Sequence, residues 1–167
     1  MVTHIFYMAF EGNHMFKKAW QMKLLLNIWP PFLFTGIRVV EISDDFRKAQ
    51  VRLKLSSFNK NAVGVHFGGS LYAMTDPFCM LMVMSRLGND YIVWDKSADI
   101  DYIKPSKGTV TADFLITDAL IADILLHTAQ GEKYLPEIPV YVKDSEGEVV
   151  AKLNRKLYIR RKKTSYT

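Results

Sequence analysis

The chain is poor in cysteine and histidine. Cys79 is the only cysteine among 167 residues, which excludes a disulfide within the chain and is typical of a reducing compartment. It lies in an apolar stretch without a basic neighbour, so we expect a buried, inert thiol. The four histidines, His4, His14, His66 and His127, lack the short intervals of zinc ligands, and we expect no metal.

The sequence also lacks a secretory signal and a membrane span. Its N-terminus has no basic start followed by a compact apolar run and a small-residue cleavage site. The richest apolar regions are interrupted by Lys23 and Pro30, or by Asp76 and Pro77, and are too short to cross a bilayer. We therefore expect a cytoplasmic protein with no membrane span.

Acidic residues are outnumbered near the C-terminus, although the formal net charge is only +5. The basic side chains after residue 151 are Lys152, Arg155, Lys156, Arg160, Arg161, Lys162 and Lys163. Such a cluster either meets phosphates or forms a solvated strand face with a basic tail. It lacks the interleaved aromatic residues of a single-strand groove, so we expect no nucleic-acid partner.

One stretch organises the rest of the sequence. Residues 67–87 read FGGSLYAMTDPFCMLMVMSRL, which is long enough for five or six helical turns. From Leu71 to Met84 almost every position is apolar, on every face. A helix of this kind belongs inside a protein. Gly68 and Gly69 stand at its start, and Gly88 stands just past its end, where a helix terminator is expected.

Asp76 is the one charge in the interior of this stretch, and Pro77 follows it. Because proline removes a backbone donor and clashes with the preceding turn, we expect a kink beside the acid. A buried carboxylate is costly unless it is paired, protonated or in use. Asp76 is therefore the first candidate for a catalytic residue.

The rest of the pattern predicts an α+β protein whose antiparallel sheet wraps this helix. The predicted elements are a helix over 14–28 with Trp20, Leu24 and Ile28 on its apolar side, strands over 33–42, 47–55, 91–104, 109–117, 138–143 and 148–160, and a helix over 118–130. The first helix is expected to pack on the sheet edge rather than to touch a membrane. In the last strand Leu153, Leu157 and Ile159 indicate an inward face, with Arg155 as an exception. We divide the chain into an N-terminal arm and helix, 1–32, and one main domain, 33–167.

This order of elements resembles the hotdog fold, and residues 61–76 resemble its acyl-CoA thioesterases, including the phenylacetyl-CoA type. Those enzymes carry an Asn, a Gly three residues on, His-Gly-Gly and then a helical Asp. Asn61, Gly64, the pair Gly68 and Gly69, and Asp76 fall in that register.

Phe67 stands where those thioesterases usually have His, and His66 comes one residue early. The chain most resembles an uncharacterised thioesterase branch with FGGSLYAMTDPF-like and VWDK-like stretches. Members of that branch are also found behind acetyltransferase domains. The resemblance covers about residues 33–160.

Thioester hydrolysis needs a polarised carbonyl and an activated attacking group. The N–H groups of Gly68 and Gly69, at a helix start, are candidate oxyanion donors; alternatively, the glycines only allow close packing. Asp76 lies two turns further on the same side and is expected to act as a general base or a nucleophile in an apolar surround. Tyr72 or Thr75 could instead simply hold the acid.

By the same resemblance, Asn61 orients water or holds the carbonyl, or else it only shapes its loop. The expected substrate-binding residues are His66, Phe67, Tyr72, Lys96 and Ser97. Lys96 could also pair with Asp76 or Asp95. Candidates for coenzyme A phosphates are Lys104, Lys107, Lys152, Arg155 and Lys156.

The resemblance implies a cofactor-free homodimer, with a tetramer as the larger alternative, acting on acyl-CoA or an acyl-carrier thioester. Asn61 would come from one subunit and Asp76 from the other, and the exposed sheet edge favours such pairing. Two rival functions remain open. One is a non-catalytic module that binds acyl-CoA or a fatty acid, and the other, disfavoured by Phe67, is a hydroxyacyl-thioester dehydratase.

Overall fold

The computed structural model of the protein describes Phe16 and residues 18–162. The predicted arm over 1–13, the start of the first predicted helix, His4, His14 and Lys163 lie outside the described residues. In the described part of the chain, no helix is long and apolar enough to cross a membrane.

The described chain folds into helices and antiparallel strands, which confirms the α+β prediction. In chain order the elements are α1 (Ala19–Ile28), α2 (Pro30–Thr35), β1 (Ile37–Ile42), β2 (Lys48–Lys54), α3 (Gly68–Ala73), α4 (Phe78–Leu87), β3 (Tyr91–Tyr102), β4 (Thr109–Leu115), α5 (Asp118–His127), β5 (Lys133–Tyr134), β6 (Glu137–Lys143) and β7 (Val149–Arg161). The strands form one sheet in the order β1-β2-β4-β6-β7-β3, with the short β5 also paired to β7. The two edge strands are therefore β1 and β3.

The core lies between this sheet and the stretch from α3 to α4, which is the predicted central stretch. Every residue from Leu71 to Leu87 is buried or half-buried. The ring of Phe78 connects the layers, since its centroid lies 6.0 Å from that of Phe32 and 4.8 Å from that of Phe114. Burial raises the pKa of the Cys79 thiol to about 12, which confirms the inert thiol.

The expected single helix is in fact two helices separated by a turn over residues 74–77. Here the N–H groups of Thr75 and Asp76 donate to carbonyls three residues back, at 3.0 and 3.1 Å. Pro77 has no N–H to continue the ladder, so the predicted kink is a full interruption. Gly88 ends α4 as predicted, with a φ of 75° and its N–H on the Met84 carbonyl.

Helix α1 packs on the β1 edge, as expected, and one side chain closes that edge. The Val39 N–H donates to Asn27 Oδ1 at 2.9 Å, and Asn27 Nδ2 donates to the Val39 carbonyl at 3.1 Å. An outward-facing N–H and C=O of an edge strand would otherwise stay open to another chain. Asn27 thus occupies the place of a neighbouring strand at this point.

The side of α1 that faces the core differs from the prediction. Its buried residues are Ala19, Met22 and Leu26, whereas Trp20, Leu24 and Ile28 point outward and are about half exposed. Both sets recur at helical spacing, so periodicity alone could not choose between them.

The predicted strand over 33–42 is wrong in its first residues. Pro30 and Pro31 occupy the first helical turn, where a missing N–H costs nothing, and they begin α2 instead of only ending α1. Gly36, with a φ of 78°, ends α2, and β1 starts at Ile37. The division drawn between residues 32 and 33 therefore falls inside α2.

The last helix is also shorter than predicted. The Thr117 side chain, not that of Asp118, caps α5 by accepting from the Leu120 N–H. The helix ends at His127, and Gly131 lies in the following turn with a φ of 87°.

Candidate active site

Asp76 is held by Arg155, which enters the site from β7. Both terminal guanidinium nitrogens donate to Oδ1 of Asp76 at 3.0 Å. Arg155 is only 1% exposed, so it points inward with Leu153 and Leu157. The predicted inward face of this strand is therefore confirmed, with Arg155 as the one charged residue among apolar ones, whereas its interpretation as a ligand of coenzyme A phosphates is wrong.

The Arg155 guanidinium is enclosed by the turn and helix that carry Asp76. Nη2 also donates to Thr75 Oγ1 at 3.4 Å, and the guanidinium carbon lies 4.9 Å from the centre of the Tyr72 ring. Tyr72, predicted to bind substrate, thus supports the cation through a cation–π contact. Thr75 donates its own hydroxyl hydrogen to the Tyr72 carbonyl at 2.8 Å.

A second carboxylate, that of Asp95 on β3, approaches the same guanidinium. Its Oδ1 lies 4.0 Å from Arg155 Nη1, which is beyond hydrogen-bond distance. This buried oxygen has no hydrogen-bond partner among the described residues. Burial raises the pKa of Asp95 to about 6; Arg155 lowers it and the Asp76 charge raises it further.

The surroundings of Asp76 are more open than expected. Its side chain is 47% exposed, against 22% for Asp95, so the predicted apolar surround is wrong. The open position follows from the turn over 74–77, which carries the acid out of the helical ladder. Asp76 combines a fixed orientation with access to solvent.

The start of α3 leaves two backbone donors free within the described structure. The N–H groups of Ser70 and Leu71 donate to the Phe67 carbonyl, whereas those of Gly68 and Gly69 have no acceptor among the described residues. A Cβ on Gly69 would lie 2.3 Å from the Phe67 ring, and one on Gly68 would lie 2.8 Å from the Tyr102 ring. A side chain at either position would therefore have to displace one of these exposed rings.

Asn61 shapes the loop that precedes α3. Its Oδ1 accepts from the N–H groups of Val63 and Val65 at 3.1 and 3.2 Å, and its Nδ2 reaches the His66 carbonyl at 3.5 Å. Gly64 follows with a φ of 84°. The alternative reading of Asn61 as a turn former thus has direct support, and its catalytic role stays a prediction.

His66 and Phe67 point to opposite sides of the chain. His66 is buried, and its Nε2 lies 3.3 Å from the Gly108 carbonyl, while burial lowers the pKa of the ring. Phe67 is 57% exposed. This arrangement favours Phe67, and not His66, as a substrate contact.

Lys96 and Ser97 lie at a bulge in β3, where the pairing with β7 shifts register. Both side chains are exposed. Within residues 18–162, Lys96 forms no ion pair, so Arg155 holds the position beside Asp76 that Lys96 was considered for. Lys104 pairs with Asp144 at 2.9 Å and Lys156 with Glu137 at 2.6 Å, which leaves them less available to phosphates.

Sequence reasoning noticed Arg155 but gave it the wrong role. A signal was present, because the strand alternation placed this cation on the same inward face as Leu153 and Leu157. The central stretch supplied a charge of opposite sign, Asp76. Charges of opposite sign on two inward-facing elements predict a contact between them.

Solved structures share this architecture. A Pseudomonas aeruginosa protein of unknown function, described as a probable thioesterase, superposes with a TM-score of 0.76 at 16% identity over 86% of this chain and 95% of that one. A Chlorobaculum tepidum protein of unknown function has a TM-score of 0.68 at 16% identity over 87% and 98%. A Haemophilus influenzae thioesterase has a TM-score of 0.62 at 11% identity over 89% and 94%. The predicted hotdog fold is confirmed.

No curated protein matches the chain in sequence. The family described as "Domain of unknown function (DUF4442)" matches residues 17–159, which is most of the chain and includes the Asp76–Arg155 pair. The occurrence behind acetyltransferase domains stays a prediction. The protein therefore has the hotdog fold and belongs to the DUF4442 family.

Proposed function

We propose that the protein is a thioesterase that hydrolyses acyl-CoA or a related acyl thioester. The observation that carries this proposal is the Asp76 carboxylate, half exposed at the break between α3 and α4 and fixed by the buried Arg155. The proposed hydrolysis needs a carboxylate that a water molecule or a substrate can reach. The guanidinium fixes the orientation of this carboxylate by two hydrogen bonds to its Oδ1.

In the simplest mechanism Asp76 acts as a general base. Its carboxylate takes a proton from water as the water oxygen bonds to the thioester carbon. The tetrahedral oxyanion then collapses, the C–S bond breaks, and the departing thiolate takes the proton back from Asp76. Only Oδ1 is bonded to Arg155, so Oδ2 is the oxygen assigned to this exchange. Direct attack by the carboxylate on the carbonyl carbon is the alternative.

The N–H groups of Gly68 and Gly69 are the proposed oxyanion donors. Support comes from their lack of acceptors among the described residues and from their position on the segment that leads to Asp76. The exposed rings of Phe67 and Tyr102 flank them and offer apolar surface to an acyl chain. One such donor is worth about 10²–10³ in rate.

We further propose a homodimer formed through the β3 edge. This strand is twelve residues long and pairs on one side with β7, and among the described strands none covers its other side. A second copy would bring a second Asn61 loop and the exposed Lys96 and Ser97 into the neighbourhood of the substrate. The cytoplasmic location and the choice between coenzyme A and an acyl carrier stay predictions.

The decisive experiment measures thiol release from a panel of acyl-CoAs, from acetyl to long-chain and aryl. We expect wild type to hydrolyse one class and Asp76→Ala to lose about 10²–10⁴ in rate, because the attacking group is no longer activated. Asp44→Ala, which removes an exposed carboxylate from the turn between β1 and β2 at the other end of the sheet, is the matched control and should keep full activity. Full activity in a folded Asp76→Ala protein would exclude this mechanism.

A non-catalytic acyl-binding module is the second candidate. It is favoured by the Phe67 ring, which stands where the related enzymes usually have His and packs over Gly69. Thermal stabilisation by an acyl-CoA without turnover would support it. A dehydratase is disfavoured, because the His66 ring is buried against the Gly108 carbonyl.

A further inference from the structure

A single cation serves two carboxylates behind the β3 edge. Arg155 comes from β7, Asp76 from the turn between α3 and α4, and Asp95 from β3. Only Asp76 receives hydrogen bonds from the guanidinium, at 3.0 Å, whereas Asp95 remains at 4.0 Å. Asp95 is thus close enough to feel the charge and too far to be bonded to it.

The charge of this cluster depends on the protonation of Asp95. With both carboxylates ionised the cluster carries one net negative charge, and with Asp95 protonated it is neutral. The pKa of Asp95 is about 6, so this change falls near physiological pH. Besides Asp76 and Arg155, the titratable group that faces Asp95 in the described part of the chain is Cys79 of α4, whose pKa of about 12 keeps it uncharged there.

We propose that Asp95 is a positioning residue that controls, through Arg155, how strongly the Asp76 carboxylate is held and therefore how basic it is. This inference rests on the proposed role of Asp76 in hydrolysis. It adds a residue that does not touch the substrate, and it assigns a role to the conspicuously unpaired Asp95 oxygen.

The physical reason is competition for one guanidinium. An ionised Asp95 attracts Arg155 and adds negative potential at Asp76, so the Asp76 carboxylate binds a proton from water more readily. A protonated Asp95 leaves the whole cation to Asp76, which weakens Asp76 as a base. Hydrolysis should therefore rise with pH as Asp95 ionises.

Asp95→Asn tests this coupling with an isosteric group that cannot ionise. In wild type we expect kcat to rise through a midpoint near pH 6. In the variant the limb near pH 6 should be lost, because the asparagine side chain cannot ionise, and kcat at pH 8 should fall about tenfold, with KM changed less than about twofold. Asp44→Asn, at an exposed site in the turn between β1 and β2 at the other end of the sheet, should reproduce the wild-type profile. Coincident profiles for wild type and Asp95→Asn would overturn the proposal.

A second measurement does not need activity. In carbon-13 NMR of the carboxyl groups, Asp95 should titrate near pH 6, and Asp76→Asn should lower that midpoint because the neighbouring negative charge is removed. A midpoint near 4, or one unaffected by Asp76→Asn, would overturn the coupling even in an active enzyme. If the coupled titration is observed but no thioester is hydrolysed, the charge coupling stands and the proposed hydrolysis fails.

Discussion

The two ends of the sheet are built on opposite principles. At the β1 end, the Asn27 amide binds the outward backbone of Val39, and the inward residues of the strand, including Ile37 and Val39, are apolar. At the β3 end, the described structure leaves the edge open, and Arg155 and Asp95 lie behind it in the interior. The β1 end therefore has an apolar interior and an edge covered at Val39, whereas the β3 end has charged side chains in its interior and an accessible edge.

This difference indicates that the β1 end of the sheet contributes mainly to folding stability, whereas the β3 end carries the residues proposed for function. A buried ion pair contributes little net stability, because desolvation offsets most of its attraction, whereas apolar burial is favourable throughout. A protein selected for stability alone has no reason to place a guanidinium under β3. Four substitutions probe the comparison, from the largest expected effect to the smallest.

Arg155→Met should be the most damaging change, because it leaves two inward carboxylates without a cation. We expect a loss of about 3–5 kcal/mol in the free energy of unfolding, measured by urea denaturation at pH 8. Lys152→Met alters an exposed cation on the same strand and should change stability by less than about 0.5 kcal/mol. Equal effects from the two variants would show that the β3 end does not depend on its buried charge.

Asp95→Asn should stabilise the protein at neutral pH. The pKa of Asp95 is raised from 3.8 to about 6 in the folded state, so the folded protein binds this proton more tightly than the unfolded chain. The wild-type contribution of Asp95 to stability therefore falls as pH rises from about 4 to 6 and stays low above 6. We expect the variant to exceed wild type by about 2–3 kcal/mol at pH 8, with the gap closing near pH 4, in denaturation at both pH values. A gap that is the same at both pH values would contradict the raised pKa.

Asn27→Ala should reopen the β1 edge. The variant loses both hydrogen bonds to Val39, and we expect a destabilisation of about 1–2 kcal/mol in thermal or urea unfolding. Lys23→Ala, at an exposed site of the same helix, is the control. If Asn27→Ala behaves like this control, solvent satisfies the Val39 backbone equally well and the edge is not closed by the side chain.

Trp94→Lys should leave folding stability within about 0.5 kcal/mol, since the Trp94 side chain is 59% exposed on β3. Its effect should be on association, because symmetric pairing through β3 brings like charges together. Sedimentation velocity should show a shift from dimer towards monomer. Val40→Lys on β1 is the matched control and should leave the dimer intact, and the reverse pattern would move the proposed interface to the other edge.

The sequence alone predicted those parts of the fold that depend on patterns between residues close together in the chain. Alternation in the strands and the unbroken apolar run around Met82 predicted the sheet, its buried filling and the candidate role of Asp76. Local patterns were ambiguous where two structures share one signal. Pro30 and Pro31 suit both a helix end and a helix start, and α1 has apolar residues on two sides.

The contact between Arg155 and Asp76 was beyond local patterns, because the two residues are 79 positions apart. The contact can be recognised only when β7, which carries Arg155, is placed against the turn that follows α3 and carries Asp76. The same holds for Gly68 and Gly69, whose need for glycine comes partly from the rings of Tyr102 and Phe67. The residue types indicated which chemistry the site could perform, whereas tertiary packing determined which side chains contact one another there.

The Asn27 amide has a consequence for how many copies can join. Strand-by-strand growth of a sheet requires a free edge on both sides of every added unit, as in a fibre. A molecule with one closed edge and one open edge has a single point of attachment, so its first partner also ends the growth. In the proposed β3 dimer, the Asn27 amide would therefore oppose growth of the sheet beyond two copies, without any contact between the copies at that end.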